Sequence, residues 1–284
     1  MNKRADDRDM TFWEHLDELR SVLIKSSAIL LVLMVAAFFC KKVMFEVILA
    51  PLTSEFVTYR AFDSLLAFLG LKPLESFTIE MINVDMTAQF FTHLRVAFLV
   101  ALVISVPFIA YELWTFIRPA LYENEKKAVQ KSFGFAAIQF YLGVVVGYLL
   151  VLPLTVRFLG TYQVSPDVPN QINLRSYIGM FMSLILIMGI VFEMPVLAAL
   201  LSRFGLINKQ LLKEYRRHAI VILVTLAAII TPSGDAVTLF FVAVPLYLLY
   251  EVSIWVTRPA PAEDDEVDEE EPQDPATAAE GGEK

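Results

Sequence analysis

One cysteine and three histidines in 284 residues leave this chain poorly supplied with reactive side chains. Cys40 alone can close no intrachain disulfide and suggests no thiolate metal cluster. His15, His93 and His218 are not spaced as metal ligands. There is no P-loop, no Gly-rich dinucleotide turn, no HExxH and no GxSxG elbow. The chain therefore reads as a non-enzyme without metal or cofactor. Any work it does must be driven from elsewhere, for example by a transmembrane potential. Charge is scarce as well, at 19% of residues. The formal −8 is misleading, because eleven of the 31 acids lie between Glu263 and Glu283. Residues 1–261 carry 22 Lys and Arg against 20 Asp and Glu, so no nucleic-acid partner is expected. The segment 257–284 has few large apolar groups and reads as a disordered acidic cytosolic tail.

What the chain does have is apolar length. Hydrophobic residues make up 57% of it. They fall into runs at about 21–40, 87–110, 132–154, 177–201, 218–231 and 237–255. About 20 residues cross a bilayer core of about 30 Å as a helix. The fifth run is short, with an apolar stretch of only twelve residues from Ala219 to Ile230, and spans only with local bilayer thinning or help from its flanks. Pro232 and Gly234 turn it into the sixth as a helical hairpin. With the N-terminus inside, the inner segments hold fifteen Lys and Arg and the outer ones six. This bias predicts an all-α membrane protein of six spans with both termini cytosolic. The first run follows an acidic segment, carries Lys25 and ends in Phe-Phe-Cys-Lys-Lys, so it reads as an anchor and not a cleaved signal.

The segment before the first run, Phe12-Trp13-Glu14-His15-Leu16-Asp17-Glu18-Leu19-Arg20, is acidic where a cytosolic rim is usually basic. Thr11 and Glu14 fit a capping box, and Phe12, Leu16, Leu19 and Leu23 recur at helical spacing. The spacing predicts that residues 1–20 include an amphipathic helix running into span one. A second acidic site lies in the first inner loop, Phe116 to Lys127, with Glu123 and Glu125 on the same side of the membrane as Glu18. Two carboxylates converging on one interface suit guanidinium groups, which can bond them in bidentate fashion.

The first outer loop, Lys41 to Met86, is long enough to form a cap, and its apolar patch Phe62–Leu69 predicts an interfacial helix ending at Gly70. His93 and Arg95 open span two and read as interfacial side chains; Pro107 predicts a kink. Gly143 and Gly147 in span three are spaced for close helix approach. Glu193, in Phe192-Glu193-Met194-Pro195, is an acid inside span four and must face the bundle interior, water or a partner. It contacts either a translocating substrate or partner helix, or the backbone loosened by Pro195. Asp235 reads as a cap for span six.

Taken together these segments resemble the TatC family, the multispanning core of the twin-arginine protein translocase. The resemblance rests on His15-Leu16-Asp17-Glu18-Leu19-Arg20, Ala50-Pro51-Leu52, Phe116 through Glu125, Phe192-Glu193-Met194-Pro195, Thr231-Pro232 with Asp235, and Pro245 through Glu251. It covers about Phe12 to Trp255. It implies a concave six-helix bundle, with spans five and six both short and with an outer cap, in the cytoplasmic membrane of a prokaryote. It further implies a receptor for the paired arginines of signal peptides on folded cargo, working with TatB-like and TatA-like single-span partners and driven by the proton-motive force. Self-association into a multi-copy complex and contact with membrane lipids are also expected. By the same resemblance Glu18 and Glu125 are the acids for the arginines, and Arg20 and Phe116 shape that site. Glu193 is the intramembrane polar group, and Pro51 and Asp235 are outer positions required for a working translocase. Spans five and six pack partner helices, with Thr231 and Thr238 as contacts. One departure stands out: Leu239 occupies a position where the family commonly has Gln, so the polar contact either falls to Thr238 or is missing. Two rival readings are an ion-coupled secondary transporter using Glu193 and a structural membrane protein in which the acids are incidental.

Overall fold

The computed structural model describes residues 12–120, 123–165, 167–168, 170–230 and 236–259, with side chains for all but 12, 120, 123–125, 127, 128, 230 and 237. Thr11, Thr231, Asp235 and residues 260–284 of the acidic tail lie outside the described residues.

The described chain is almost wholly helical. The helices are α1 (Phe12–Phe39), α2 (Lys41–Leu49), α3 (Val57–Phe68), α4 (Ala88–Ile117), α5 (Glu123–Val146), α6 (Leu152–Thr161), α7 (Leu174–Val191), α8 (Met194–Arg203), α9 (Lys209–Glu214), α10 (Arg216–Ile230) and α11 (Ala236–Val256). Among the described residues, five stretches are long and apolar enough to cross a membrane: Trp13–Phe39, Ala88–Ile117, Val129–Thr161, Leu174–Arg203 and Thr238–Val256. The first four overrun the apolar run behind them at one end or both, because a helix keeps its internal hydrogen bonds into its polar flanks, whereas Thr238–Val256 only shifts its run by one residue. α10 has 15 residues. It rises about 22 Å, less than a bilayer core of about 30 Å. α11, with 21 residues, rises about 31 Å, so the sixth span is not short as expected.

α1 lies antiparallel on α4, and two stacked pairs give the register. His15 stacks on Phe116 with centroids 4.3 Å apart, and Phe38 stacks on His93 at 4.1 Å. Both pairs are separated by 23 residues on each helix, so the seam runs without slip for roughly 35 Å. The His93 side chain is therefore packed in the seam, where the sequence suggested one reaching outward. It is 9% exposed, held between Phe38 and the edge of Phe45, whereas Arg95 is exposed as expected. Elsewhere α1 is mostly open, with only 11% of its apolar window buried. The end of the bundle where α1 begins and α4 ends is called here the N-terminal face.

The core runs between α4, α7, α10 and α11 and the turn joining α5 to α6, and includes Val96, Leu152, Leu184, Met188, Ala227 and Leu246. α5 reaches α7 through glycine. A Cβ at Gly143 would lie 2.5 Å from the Met188 carbonyl oxygen and 2.7 Å from Phe192 Cβ, and one at Gly147 3.0 Å from Met188 Cβ. The close approach expected of this pair is thus made to α7 of the same chain.

The face opposite is capped by the two long loops. α3 is longer than the patch that predicted it, and Gly70, at φ 71°, closes it with Leu71 N–H donating to the Leu66 carbonyl at 2.8 Å. Met81–Ile82 (β1) pairs in parallel with Ile172–Asn173 (β2), joining loops far apart in sequence; nothing in their short apolar pattern announced this. Gly160 admits the Ile79 side chain beneath the pair.

Two prolines break the backbone here, and hydroxyl groups from other elements repair it. Pro51 offers no N–H to the Val47 carbonyl four residues before it, and the Tyr148 hydroxyl donates there instead, at 2.7 Å. Pro153 leaves the Leu149 carbonyl in the same position, inside a π-turn spanning Gly147–Val151, and the Thr58 hydroxyl donates to it. Tyr59 is 1% exposed; its hydroxyl donates to the Pro153 carbonyl at 2.7 Å and lies 3.1 Å from that of Pro51.

Candidate functional site

The N-terminal face gathers the acidic segments. Position 15 on α1 is level with 116 on α4, so Glu18 is level with about position 113. Glu18 is half-buried, and its Oε2 is shielded from solvent with no hydrogen-bond partner among the described residues. A shielded polar atom left unpaired costs about 1–3 kcal/mol, which an arriving donor would recover. Phe116 is half-buried under the His15 ring and fixes the same corner. Trp114, buried against Phe133 at 5.9 Å, ties this end of α4 to α5. Glu125 stands at the third position of α5, in the first turn on this face, and its side chain is not among those described. Arg20 is exposed and lies two residues, about 200°, around α1 from Glu18. The structure thus brings Glu18, Phe116 and the start of α5 to one face, with Arg20 on another side of the helix.

Two further acids on this end of the bundle were given no role in the sequence reading, although Glu251 closes one of its motifs. Glu112 Oε2 is 3.5 Å from Lys25 Nζ across the α1–α4 seam. The signal was present in Lys25, since a cation inside a span needs a counter-charge. Glu251 receives Arg216 at 2.8 Å and the Tyr247 hydroxyl at 2.9 Å, closing α11 on α10. Around it Tyr250 donates to the Leu212 carbonyl at 2.6 Å, and the Arg258 N–H donates to Ser202 Oγ at 3.1 Å.

Glu193 marks the break between α7 and α8. Pro195 sits in the first turn of α8, where its missing N–H leaves no bond unmade. Glu193 is half-buried, and its carboxyl lies against the Phe140 backbone of α5. Ten residues separate it from Arg203, so it lies about 15 Å in from the N-terminal face. It is not brought together with Glu18. Pro51 is buried in the opposite cap. Thr238 is 1% exposed, turned into its own bundle, and Leu239 is partly buried against the core. The outward face of α11 is instead apolar, with Phe240, Leu248 and Trp255 exposed.

Comparison with known proteins shows the family of the chain. The family described as Sec-independent protein translocase protein (TatC) matches residues 14–245. The Sec-independent protein translocase protein TatC of Blattabacterium sp. subsp. Periplaneta americana is 35% identical over 260 residues, covering 89% of this chain and 97% of its own. That of Deinococcus radiodurans is 34% identical over 247 residues, covering 87% and 85%. A crystal structure described as the twin arginine translocase receptor TatC superposes with a TM-score of 0.67 at 32% identity, covering 86% of this chain and 97% of that one. A second, of the receptor in the detergent DDM, gives 0.69 at the same identity, with 86% and 100% covered. The chain belongs to the TatC family of Sec-independent protein translocase proteins.

Proposed function

We propose that this protein is the receptor subunit of a twin-arginine translocase. In this reading it binds the paired arginines of signal peptides on folded cargo at its N-terminal face, and that face is cytosolic. Glu18 on α1 and Glu125 in the first turn of α5 accept the guanidinium groups, and Phe116 with His15 walls the site. Export then proceeds with TatB-like and TatA-like single-span partners and the proton-motive force, across the cytoplasmic membrane of a prokaryote. α10 serves as a sixth, short passage, which returns both termini to the cytosol; the fifteen-to-six bias of Lys and Arg supports that orientation. Spans five and six offer the exposed apolar surface for a partner helix. Several copies assemble into the working receptor.

The observation that carries the site is Glu18. A carboxylate oxygen shielded from solvent and unpaired, on a half-buried side chain, is arranged for a cation to arrive. Guanidinium is the best fit, because it offers two parallel donors to one carboxylate. The rival reading, an ion-coupled transporter built on Glu193, gains no support from the relatives named above, which are translocase proteins, and Glu193 lies against the backbone of its own bundle.

The test is binding of a paired-arginine signal peptide to the purified protein in detergent, against a paired-lysine control, with Glu18→Gln and Glu125→Gln. Leaving a buried guanidinium without its acid costs 2 kcal/mol or more, so about thirty- to hundredfold weaker binding is expected from each variant. Equal binding of both peptides, or binding indifferent to both acids, would sink this assignment.

A further inference from the structure

Lys25 and Glu112 form an ion pair at 3.5 Å in the α1–α4 seam, and the two partners are unequally placed. The Glu112 side chain is 15% exposed, whereas that of Lys25 is 56% exposed. The acid is built into the seam; the cation reaches it from the open side. The helix register adds the second fact. With 15 level with 116, Glu112 stands level with Leu19, the neighbour of Glu18, while Lys25 stands about 9 Å deeper. Side chains tilt toward the N-terminus of their own helix. Lys25 therefore leans up α1 toward the N-terminal face, and Glu112 leans down α4 to meet it. Two carboxylates, Glu18 and Glu112, thus stand at one height on neighbouring helices, one with an unpaired oxygen and the other held by a single ammonium.

We infer that Glu112 is a further specificity-determining acid of the receptor site, and that Lys25 is its resident cation, displaced when a signal peptide docks. This rests on the function proposed above. Lysine offers a point charge with one bond to the acid at 3.5 Å, a long contact. An arriving guanidinium can bond Glu112 in bidentate fashion and so outcompete it, whereas an arriving ammonium only exchanges like for like. The pair therefore sharpens preference for arginine over lysine. Lys25 freed in this way keeps its ammonium in the rim by extending along α1. No bond is made or broken covalently; one cation replaces another.

The experiment measures binding of the paired-arginine and paired-lysine peptides to the full protein in detergent, for the unaltered chain and for Lys25→Gln, Glu112→Gln and the double variant. Removing Lys25 should tighten binding of both peptides, and the lysine peptide more. The arginine-to-lysine preference should then narrow about three- to tenfold, a change of about 0.7–1.4 kcal/mol in selectivity. Glu112→Gln should weaken the arginine peptide about tenfold and erase the effect of Lys25→Gln in the double variant. Lys25→Arg, which keeps the seam filled and charged, covers the case in which Lys25→Gln does not fold; a resident guanidinium competes harder and should weaken the arginine peptide. If the arginine peptide binds and needs Glu18 while Lys25 and Glu112 variants leave the preference unchanged, this inference fails and the receptor reading stands. If the unaltered chain makes no distinction between the two peptides, the receptor reading itself fails.

Discussion

A methyl group added at Gly143 tests the packing that positions Glu193. Its Cβ would lie 2.5 Å from a backbone oxygen of α7, that of Met188, and 2.7 Å from Phe192 Cβ. Neither atom is the tip of a flexible side chain, so only movement of α5 away from α7 relieves the contact. Overpacking of this kind costs about 1–3 kcal/mol. Against it stands the gain of about 0.5–1 kcal/mol that alanine brings to a helix interior in place of glycine. Gly134 is the control: it lies on the same helix, and a Cβ there meets nothing within 4 Å. Gly134→Ala should therefore be neutral or stabilising, and Gly143→Ala should fall about 2 kcal/mol below it. At about 2–4 °C per kcal/mol for a domain of this size, the melting temperatures should differ by roughly 4–8 °C. Thermal denaturation of the purified protein in detergent, followed by loss of the monodisperse peak, reads this directly. A Gly143→Ala protein that melts level with or above Gly134→Ala would refute the close α5–α7 contact.

Further expectations concern the cap and the α10–α11 clasp. Tyr148→Phe strips the Val47 carbonyl of its donor and should cost about 1 kcal/mol; in that background Pro51→Ala, which restores an N–H for Val47, should cost less than it does alone, as a double-mutant cycle in thermal melts would show. Arg216→Ala and Glu251→Ala should each lower stability by about 1 kcal/mol or less, with coupling that shrinks in high salt, because the pair is 44% and 24% exposed. Burial raises the Tyr59 phenol above its ordinary value, opposed in part by the Arg157 charge beside it. A group whose proton is held more tightly in the folded state adds stability below its unfolded value and loses it as pH rises beyond. An absorbance titration should therefore show Tyr59→Phe removing a phenol that ionises only with alkaline unfolding, and the loss of stability above about pH 10 should be shallower in that variant.

Much of the helix layout was legible because lipid-facing helices advertise themselves by apolar length alone. The long runs gave α1, α4, α7 and α11 their places, and Gly143 with Gly147 pointed to a close approach. Boundaries were short by up to nine residues, as at 132 against the observed start of α5 at Glu123, because hydropathy marks hydrocarbon and not the end of a helix. His93 was misread because its burial depends on Phe38 and Phe45, which belong to α1 and α2. The β1–β2 pairing was invisible, since two residues at each end carry no periodicity. On the N-terminal face the motifs led to Glu18, Glu125 and Phe116. Glu112 was passed over because its partner lies 87 residues away, and only the helix register brings the two together.

The two ends of the bundle should fail in different ways when altered, and this follows from where their polar groups are satisfied. In the cap, the segment 47–51 is held by three tyrosine hydroxyls from three elements: Tyr148 onto Val47 at 2.7 Å, Tyr177 onto Ile48 at 2.5 Å, and Tyr59 beside Pro51 at 3.1 Å. Each of these three hydroxyls has its acceptor among the described residues, so none of the three is left for a ligand. A substitution at Pro51 acts on this lattice and should lower melting temperature and transport together. At the N-terminal face Glu18 keeps an oxygen without a partner, so Glu18→Gln breaks no bond within the described fold. It relieves an unpaired charge at a shielded position, and stability should stay level or rise slightly while signal binding falls. Measuring both quantities on both variants separates a structural proline from a receiving acid. A Glu18→Gln protein that melts several degrees lower would mean the carboxylate supports the fold, and the site would then have to be sought elsewhere on that face.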